Sequence, residues 1–393
     1  MSENQKKVPK RRFKEFENGE GWEERELGKL VDVYDGTHQT PNYTDSGIMF
    51  LSVENIKTLQ SEKFISEEDF ERNFVIFPEK GDVLMTRIGD IGTANVVESD
   101  APKAYYVSLA LLKQKELVPY FLKESISSTA VKKELWKRTL HIAFPKKINK
   151  NEIANVIVPY PVSEEEQQKI GKLFQNINNL ITLHQRKLEK MKTLKKAYLT
   201  DMFPAEGERK PKLRFPGFTD NWEQCKLGEI VDFLDEQRKP LESGTREPGE
   251  YPYYGASGII DYVKDYLFDE ELILLSEDGA NIIDRNYRVC FLATGKYWVN
   301  NHAHVLKSKD SYCNAFICEA LERLDYAQYN TGTAQPKLNQ EVCRNINIMV
   351  PNFEEQLKIA SYLTSFDNII TLHHHKLEKL KNIKKAYLNE MFI

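Results

Sequence analysis

Residues 165–203 read EEQQKIGKLFQNINNLITLHQRKLEKMKTLKKAYLTDMF, and residues 354–392 read EEQLKIASYLTSFDNIITLHHHKLEKLKNIKKAYLNEMF. The two segments align without a gap, and 22 of the 39 paired residues are identical. A second repeat starts each half of the chain, because the pairs WE, LG and VD within residues 22–32 recur within residues 222–232. Identity at this level within one chain indicates an internal duplication.

Each copy of the longer repeat predicts one long helix. Its apolar residues recur alternately four and three residues apart, which is the heptad spacing of a coiled coil. A helix of about 40 residues would be about 60 Å long at ~1.5 Å per residue. The partner-binding positions that we predict on the two helices are Ile170, Phe174, Ile177, Ile181 and Leu188, and Ile359, Leu363, Phe366, Ile370 and Leu377.

Two arrangements of these helices are open. They could be ordinary amphipathic helices buried in separate cores, or they could pair with each other. Two apolar seams of equal length in one chain favour pairing. Leu173, Leu180 and Leu183 widen the first seam beyond what two strands of a coiled coil need, so we expect the helices to contact a third body as well.

The segments between the repeats, residues 33–150 and 233–335, do not align with each other. Both contain short strand-like runs, such as Val83–Met85 and Leu272–Leu275, separated by turns rich in Gly, Pro, Asn and Asp. The duplicated segments are therefore a common frame, and the unmatched blocks are free to differ. This organisation predicts two unlike surfaces on one nearly symmetric scaffold.

Polar, aromatic and glycine-rich loops connect the predicted strands. Their side chains offer donors and acceptors for base edges, and glycine lets the backbone approach phosphates closely. The DNA-binding residues that we predict in the first block are Thr37, His38, Gln39, Thr40, Tyr43, Thr86, Arg87 and Asp90. Those in the second block are Arg238, Lys239, Tyr253, Tyr254, Ser257, Asn281, Asn300, Asn301, His302, His304, Thr333, Gln335 and Lys337.

Composition and charge restrict the class of protein. The chain of 393 residues is long enough for two or three domains, and its net charge of −4 argues against a protein that simply coats DNA. No apolar run approaches the length of a membrane helix, and residues 1–13 do not read as a signal peptide. Five cysteines without a CxxC pair indicate free thiols in the cytoplasm.

No motif for catalysis is evident. The sequence lacks a GxxxxGK[ST] phosphate loop, the paired motifs of an adenine methyltransferase and a nuclease motif. We therefore predict a non-catalytic chain with no metal site. Two alternatives stay open: a coiled-coil scaffold that binds proteins without DNA specificity, and an enzyme that uses Asp278, His302 and His304 as a metal or catalytic cluster.

The twofold order of variable block and E-E-Q-x-K-I helix resembles the specificity subunit of type I restriction–modification enzymes. The openings WEERELGKL and PKLRFPGFTDNWEQCKLGEI are similar to the starts of its target-recognition domains. Further similar stretches are GDVLMTRIGDIG in the first block and YPYYGASGIIDYV, LLSEDGANI and YWVNNHAHVL in the second.

The resemblance implies an α+β fold with an internal duplication. Two α/β target-recognition domains would be separated by two long antiparallel coiled-coil helices with pseudo-twofold symmetry. The segments that we predict are a basic arm at 1–20, domain 1 at 21–160, helix 1 at 161–204, a linker at 205–220, domain 2 at 221–351 and helix 2 at 352–393.

The resemblance also implies partners. Each domain would read one half of a split, asymmetric site in double-stranded DNA. The helices would dock two methyltransferase subunits, and two motor–nuclease restriction subunits would join that core. S-adenosylmethionine, ATP and magnesium would be bound by those partners and not by this chain.

Overall fold

The computed structural model describes residues 7–244 and 246–393, so the first six residues of the predicted basic arm lie outside the described residues. The chain forms two compact units, which we call the first unit (Met1–Gln185 and His375–Ile393) and the second unit (Arg186–His374). The chain passes between them at 185/186 and again at 374/375, and both positions lie inside long helices.

The first unit contains the whole of the first variable block. Its strands are β1 (Glu23–Glu26), β2 (Val31–Asp35), β3 (Ile48–Leu51), β4 (Phe64–Ile65), β5 (Val83–Thr86), β6 (Ala94–Val96), β7 (Lys103–Tyr105), β8 (Leu109–Gln114) and β9 (Ile157–Tyr160). Its helices are α1 (Leu27–Leu30), α2 (Glu67–Asn73), α3 (Pro119–Ser127), α4 (Thr129–Lys137), α5 (Lys150–Ala154) and the start of α6 (Glu164–Asp201).

The second unit repeats this plan. Its strands are β10 (Glu223–Lys226), β11 (Val231–Phe233), β12 (Pro248–Gly255), β13 (Gly258–Val263), β14 (Phe268–Asp269), β15 (Leu272–Ser276), β16 (Cys290–Ala293), β17 (Lys296–Val299), β18 (Ala303–Ser308) and β19 (Asn347–Val350). Its helices are α7 (Leu227–Ile230), α8 (Asn281–Asp284), α9 (Asn314–Glu322), α10 (Gln340–Arg344) and the start of α11 (Phe353–Glu390).

An antiparallel four-stranded sheet is common to both units, in the order β2-β8-β5-β6 and β11-β18-β15-β16. Its central strands read as unbroken apolar runs because both faces of the sheet are covered. Alternate residues of a strand point to opposite faces, so Val83 and Met85 enter one core while Leu84 enters another. In the second unit, Ile273 and Leu275 enter one core and Leu274 enters another.

The second sheet differs between the units. In the first unit it has three strands in the order β4-β3-β7, and in the second it has four in the order β13-β12-β17-β14. The two blocks thus share one sheet although their sequences do not align, and they differ in the other sheet.

The repeated Glu-Glu-Gln sequence at the start of each long helix ties that helix to its block. Glu166 is fully buried and receives two hydrogen bonds of 2.7 Å from Arg12. The Gln167 side chain accepts from the Val118 backbone at 2.9 Å and donates to the Pro161 carbonyl at 3.0 Å. Arg214, Glu355 and Gln356 make the same contacts in the second unit, which explains why these residues are duplicated.

Each helix begins in one unit and ends in the other. In the first unit, Phe392 near the end of the chain packs against Trp22, Phe121 and Phe174, with ring centroids 5.5–5.9 Å apart. In the second unit, Phe203 packs against Trp222 and Phe316 at 5.7 and 5.3 Å. Truncating such a buried aromatic ring typically costs about 3–5 kcal/mol of stability, so these contacts are strong anchors.

Within each unit, the two long helices run antiparallel. In the second unit Tyr198, late in α6, contacts Tyr362 and Phe366, early in α11, with ring centroids 5.1 and 5.4 Å apart. The earliest seam residues, including Ile170 and Leu363, enter the unit cores. Each long helix is therefore buried in a unit core along one part and paired with the other long helix along another part. The sequence had left these two arrangements open as alternatives. The predicted α+β fold with internal duplication and two long helices is confirmed.

Among the apolar side chains that stay exposed on the long helices, which include Phe353 and Leu357, two pairs are equivalent in the two repeats. They are Leu180 and Leu183 on α6, each 44% exposed, and Ile369 and Leu372 on α11, at 39% and 50%. The two pairs occupy the same positions of the 189-residue repeat. Leu173 instead packs against the core of the first unit.

No helix in residues 7–244 or 246–393 is long and apolar enough to cross a membrane. The cysteines Cys225, Cys290, Cys313, Cys318 and Cys343 are free thiols.

Candidate nucleic-acid interface

The loops predicted to contact DNA in the first block gather at one end of the four-stranded sheet. We call this region the first loop end (residues 35–44, 86–93, 105–108 and 139–148). Backbone hydrogen bonds join its segments: Arg87 donates to Ser108 at 3.0 Å, and Ile148 donates to Arg87 at 3.0 Å. The Thr37 backbone bonds to Tyr105 at 3.1 Å.

The second unit builds an equivalent region, the second loop end (residues 234–240, 276–281, 299–302 and 330–338). Glu277 donates to His302 at 2.9 Å, and Leu338 donates to Glu277 at 2.7 Å. Gly279 donates to Pro336 at 3.0 Å, as Gly89 donates to Lys146 at 2.8 Å in the first unit. Blocks whose sequences do not align thus share one hydrogen-bonded framework.

A buried brace of charged groups holds each loop end. In the first unit Arg87 pairs with Asp35 and donates from Nε to the Ile148 carbonyl at 3.0 Å. In the second unit His304 contacts Asp235 through Nδ1 at 2.6 Å and the Leu338 carbonyl through Nε2 at 2.8 Å. An aspartate at the end of β2 or just after β11 therefore anchors a cation in both units, although the cation comes from a different part of the sheet.

His304 is protonated in this arrangement. Both of its ring nitrogens face oxygens that can only accept a hydrogen bond, so both must donate. Burial is the largest single effect and lowers the pKa of His304, but the hydrogen bonds and charge interactions with Asp235 and Cys343 together outweigh it and raise the pKa to about 10. The same contact lowers the pKa of Asp235 against the opposing effect of burial.

We expect this brace to make stability depend on pH. The folded pKa of His304 is raised from the ordinary 6.5 to about 10, so its contribution is complete below pH 6.5 and is lost as the pH rises through 10. The difference in free energy of unfolding between the native protein and His304→Gln should therefore shrink over this range in urea titrations. His302→Gln is the matched control, because His302 is half exposed. A constant difference across the range contradicts the brace.

The predicted DNA-binding side chains fall into three groups by exposure. Those exposed are His38, Gln39, Thr40, Tyr43, Asp90, Lys239, Ser257, Asn301, His302, Thr333, Gln335 and Lys337. Those partly buried are Thr37, Arg238, Tyr254 and Asn281. Those buried are Thr86, Arg87, Tyr253, Asn300 and His304. The buried set holds the loops together, so base contacts are better sought among the exposed set.

Several predicted residues lie at the edges of the loop ends. Tyr43 packs edge-on against Phe50 of β3, with centroids 5.7 Å apart. The Asn281 side chain accepts from the Tyr287 backbone at 2.8 Å and so closes its own loop. The β12–β13 hairpin that carries Ser257 joins the second loop end, because Asn300 donates to the Tyr254 carbonyl at 3.0 Å.

One segment of the first loop end was missed by the sequence analysis. Residues 139–148 correspond to residues 330–338, which were predicted in the second block, and Ile148 corresponds to Leu338. The available signal was short: PKKIN at Pro145 and PKLN at Pro336, each ending in the asparagine before a short helix.

The alternative cluster of Asp278, His302 and His304 does not assemble. His302 contacts Asp278 at 2.8 Å, but His304 is turned to Asp235. Within the described ranges no group of three His, Cys, Asp or Glu side chains could hold a metal ion.

A family described as the type I restriction modification DNA specificity domain matches residues 19–193 and 219–382, one match in each half of the chain. The chain belongs to this family. The resemblance noted in the sequence is therefore confirmed, and the chain is a specificity subunit by family, the non-catalytic class of subunit.

Individual proteins that are similar to this chain are described as specificity subunits too. A putative type I restriction enzyme specificity subunit of Haemophilus influenzae is 34% identical over 137 residues, which is 35% of each chain. The putative MjaX specificity subunit of Methanocaldococcus jannaschii is 24% identical over 96% of this chain and 95% of its own. The crystal structure of a type I S subunit from M. genitalium has the same fold, with a TM-score of 0.74 and 16% identity over 98% of this chain and 99% of its own.

Proposed function

We propose that this specificity subunit reads a bipartite, asymmetric DNA site, with one loop end on each half-site. The observation that carries the proposal is the pair of loop ends: one hydrogen-bonded framework occurs twice, and it displays different exposed side chains each time. Equal frameworks favour equivalent placement on DNA, and different side chains favour different sequences. Membership of the family supports DNA recognition as such.

The exposed side chains suit direct readout. Gln39, Asn301 and Gln335 carry amides that can bond an adenine edge in two places, and His38 and His302 carry imidazoles. The buried braces at Arg87 and His304 would keep the loops in one conformation and so reduce the entropy lost on binding.

Methylome sequencing of a host with and without this gene tests the proposal. We expect one split, asymmetric motif to lose its adenine methylation when the gene is deleted. An unchanged methylome, together with complexes that retain no particular DNA sequence, would support the alternative of a protein-binding scaffold.

Two substitutions separate base contacts from phosphate contacts. Asn301→Ala should cost roughly 1–3 kcal/mol for the matched base pair only. Lys239→Ala should weaken binding to all sequences alike and flatten the salt dependence. Lys307→Ala is the matched control, since Lys307 lies near the opposite end of β18 and pairs with Glu270 at 2.6 Å. Binding titrations on matched and mismatched duplexes measure these effects, and a uniform loss with Asn301→Ala contradicts its assignment.

We further propose that the exposed pairs Leu180/Leu183 and Ile369/Leu372 each dock one methyltransferase subunit. Apolar side chains left in water at equivalent repeat positions fit two copies of one partner. S-adenosylmethionine would be bound by those subunits, and ATP and magnesium by two restriction subunits that join the core. The free thiols fit the reducing cytoplasm in which such a complex would act.

Charged substitutions should remove one docked partner at a time. Leu180→Lys with Leu183→Lys should leave a complex with one methyltransferase subunit in place of two, because two lysines would be desolvated in the interface. Gln185→Lys is the control, as Gln185 is exposed on another face of the same helix. Native mass spectrometry of the co-expressed subunits gives the stoichiometry. Two methyltransferase subunits on the double variant would show that docking lies elsewhere.

A further inference from the structure

Two apolar side chains stand fully in solvent at the first loop end. Ile142 is 99% exposed and Phe144 is 103% exposed. We call the segment Ile142–Phe144 the apolar tip. An isolated exposed aliphatic residue needs no explanation, but an aromatic and a branched side chain presented together point to a contact surface.

Contacts of the residues on either side of the apolar tip fix the loop that carries it. Leu140 donates to the Lys147 carbonyl at 2.8 Å, so the segment closes as a loop. The His141 ring lies 4.3 Å from the Trp136 ring, and the Lys146 ammonium lies 4.6 Å from the same ring. These contacts fix the loop on both sides of the tip and involve neither Ile142 nor Phe144.

The tip lies beside a predicted reading loop. Gly89 donates to the Lys146 carbonyl, and Ile148 donates to the Arg87 carbonyl, at 2.8 and 3.0 Å. These bonds tie the C-terminal end of the loop that carries the tip to the segment 86–93. Whatever the first loop end binds is therefore within reach of Phe144.

Charge indicates the chemistry of the partner. Residues 129–150 carry seven Lys or Arg and one Glu, whereas the corresponding residues 319–340 of the second unit carry two basic and three acidic side chains. Lys146 and Lys147 follow the tip directly after Pro145, and neither makes an ion pair with any residue of the described ranges. Apolar side chains in a strongly basic segment, with two lysines outside any ion pair beside them, fit a polyanion with an apolar interior, which is the description of duplex DNA.

We propose that Ile142 and Phe144 wedge into the base stack at one step of the first half-site. The inference rests on the proposed DNA-reading function and adds a deformation to it. Lysines around the tip bind phosphates while the apolar side chains partly unstack one step, as apolar wedges of architectural proteins do. Pyrimidine–purine steps unstack most easily, so such a step is expected opposite the tip.

The wedge acts on one half-site only. The equivalent loop of the second unit carries Thr333 and Gln335 as exposed side chains and no exposed aromatic residue between 330 and 338. The two halves of the site are thus read by different means, with unstacking in the first half and side-chain hydrogen bonds alone in the second.

The test uses the complex of this chain with its methyltransferase subunits. Duplexes that contain the methylated motif carry 2-aminopurine at successive positions of each half-site. We expect fluorescence to rise on binding at one step of the first half-site and at none of the second, outside the methylated adenines. Ile142→Ala with Phe144→Ala should abolish that rise and weaken specific binding about tenfold or more.

Two further variants control the experiment. Ile142→Thr with Phe144→Gln gives the first loop the polar chemistry of the second and should also abolish the rise. Val162→Ala removes another exposed aliphatic side chain of the first unit, 52% exposed and next to the start of α6, and should change nothing. Because the tip side chains make no core contact, the variants should still assemble.

The possible results separate the proposed wedge from the proposed DNA-reading function on which it rests. Sequence-specific binding without a local rise in the first half-site overturns the wedge and leaves the reading function intact. Failure of the native complex to select any sequence overturns the reading function itself. Loss of methyltransferase subunits from the tip variants overturns the wedge in favour of a protein interface.

Discussion

Replacing residues 222–350 with the corresponding block of another specificity subunit will change one half of the methylated motif and leave the other half as it was. The block contains the whole second loop end. Its two ends are also adjacent, because β10 and β19 pair with Glu223 opposite Val350. An exchange at these positions leaves the long helices and the first unit untouched.

The donor block must keep the contacts that reach the helices. Phe316 packs on Phe203, and Glu319 pairs with Lys195 at 3.0 Å where both side chains are buried. A donor with an aromatic residue and an acid at these two positions should fold in the new frame. A donor without the acid leaves Lys195 paired only with Asp367 of α11, 2.7 Å away and partly exposed, so the loss should be smaller than the about 3–5 kcal/mol of an unpaired buried charge.

Methylome sequencing of the hybrid strain measures the exchange. The reciprocal hybrid, with residues 22–160 replaced between the paired strands β1 and β9, is the matched control and should change only the other half. A hybrid in which both halves change, or neither does, would show that the loop ends do not read DNA independently.

Inserting one heptad after Leu188 and one after Leu377 should lengthen the spacer of the recognised site. Seven residues keep both apolar seams in phase, and they add about 10 Å at ~1.5 Å per residue. B-DNA rises ~3.4 Å per base pair, so the spacer should grow by about three base pairs. The insertion sites lie three residues beyond the points at which the chain passes between the units.

The same insertion changes the angular relation of the half-sites. Three base pairs rotate one half-site by roughly 100°, at ~10.5 base pairs per turn. The added heptads compensate little of that rotation, so we expect slower methylation at the new spacing.

Insertion into one helix alone should abolish modification. The seams would then differ in length, and antiparallel contacts such as Tyr198 on Phe366 could not form together with the anchor of Phe392 in the first unit. Methylome sequencing of the single and double insertions separates these cases. Full activity with an unchanged spacer in the double insertion would mean that other segments set the distance.

The duplicated frame could be predicted because it is local and repetitive. The helices expected at 161–204 and 352–393 are observed at Glu164–Asp201 and Phe353–Glu390. Ser163 caps the start of α6, since its hydroxyl accepts from the Glu166 backbone at 3.3 Å. The partner of the Glu166 carboxylate is Arg12, 154 residues away in sequence, and no local pattern indicates that contact.

The loop ends could be predicted only as a set of segments. Composition identified most of the loops, but it could not separate Arg87, which is buried against Asp35, from Gln39, which is exposed. Both are polar loop residues by pattern. Their different positions depend on which strand ends meet, and strand pairing is a contact between distant parts of the chain.

The amino-acid sequence by itself determined the duplication, the two long helices with their apolar seams, and the family. These follow from spacing and identity along the chain, which no distant contact alters. Tertiary structure alone decided that each helix ends in the core of the other unit, that Asp35 and Asp235 anchor cations from different parts of the sheet, and that Phe144 is exposed. Each of these depends on whether a side chain finds a partner across the fold, and that balance of burial against solvation exists only once the chain has packed.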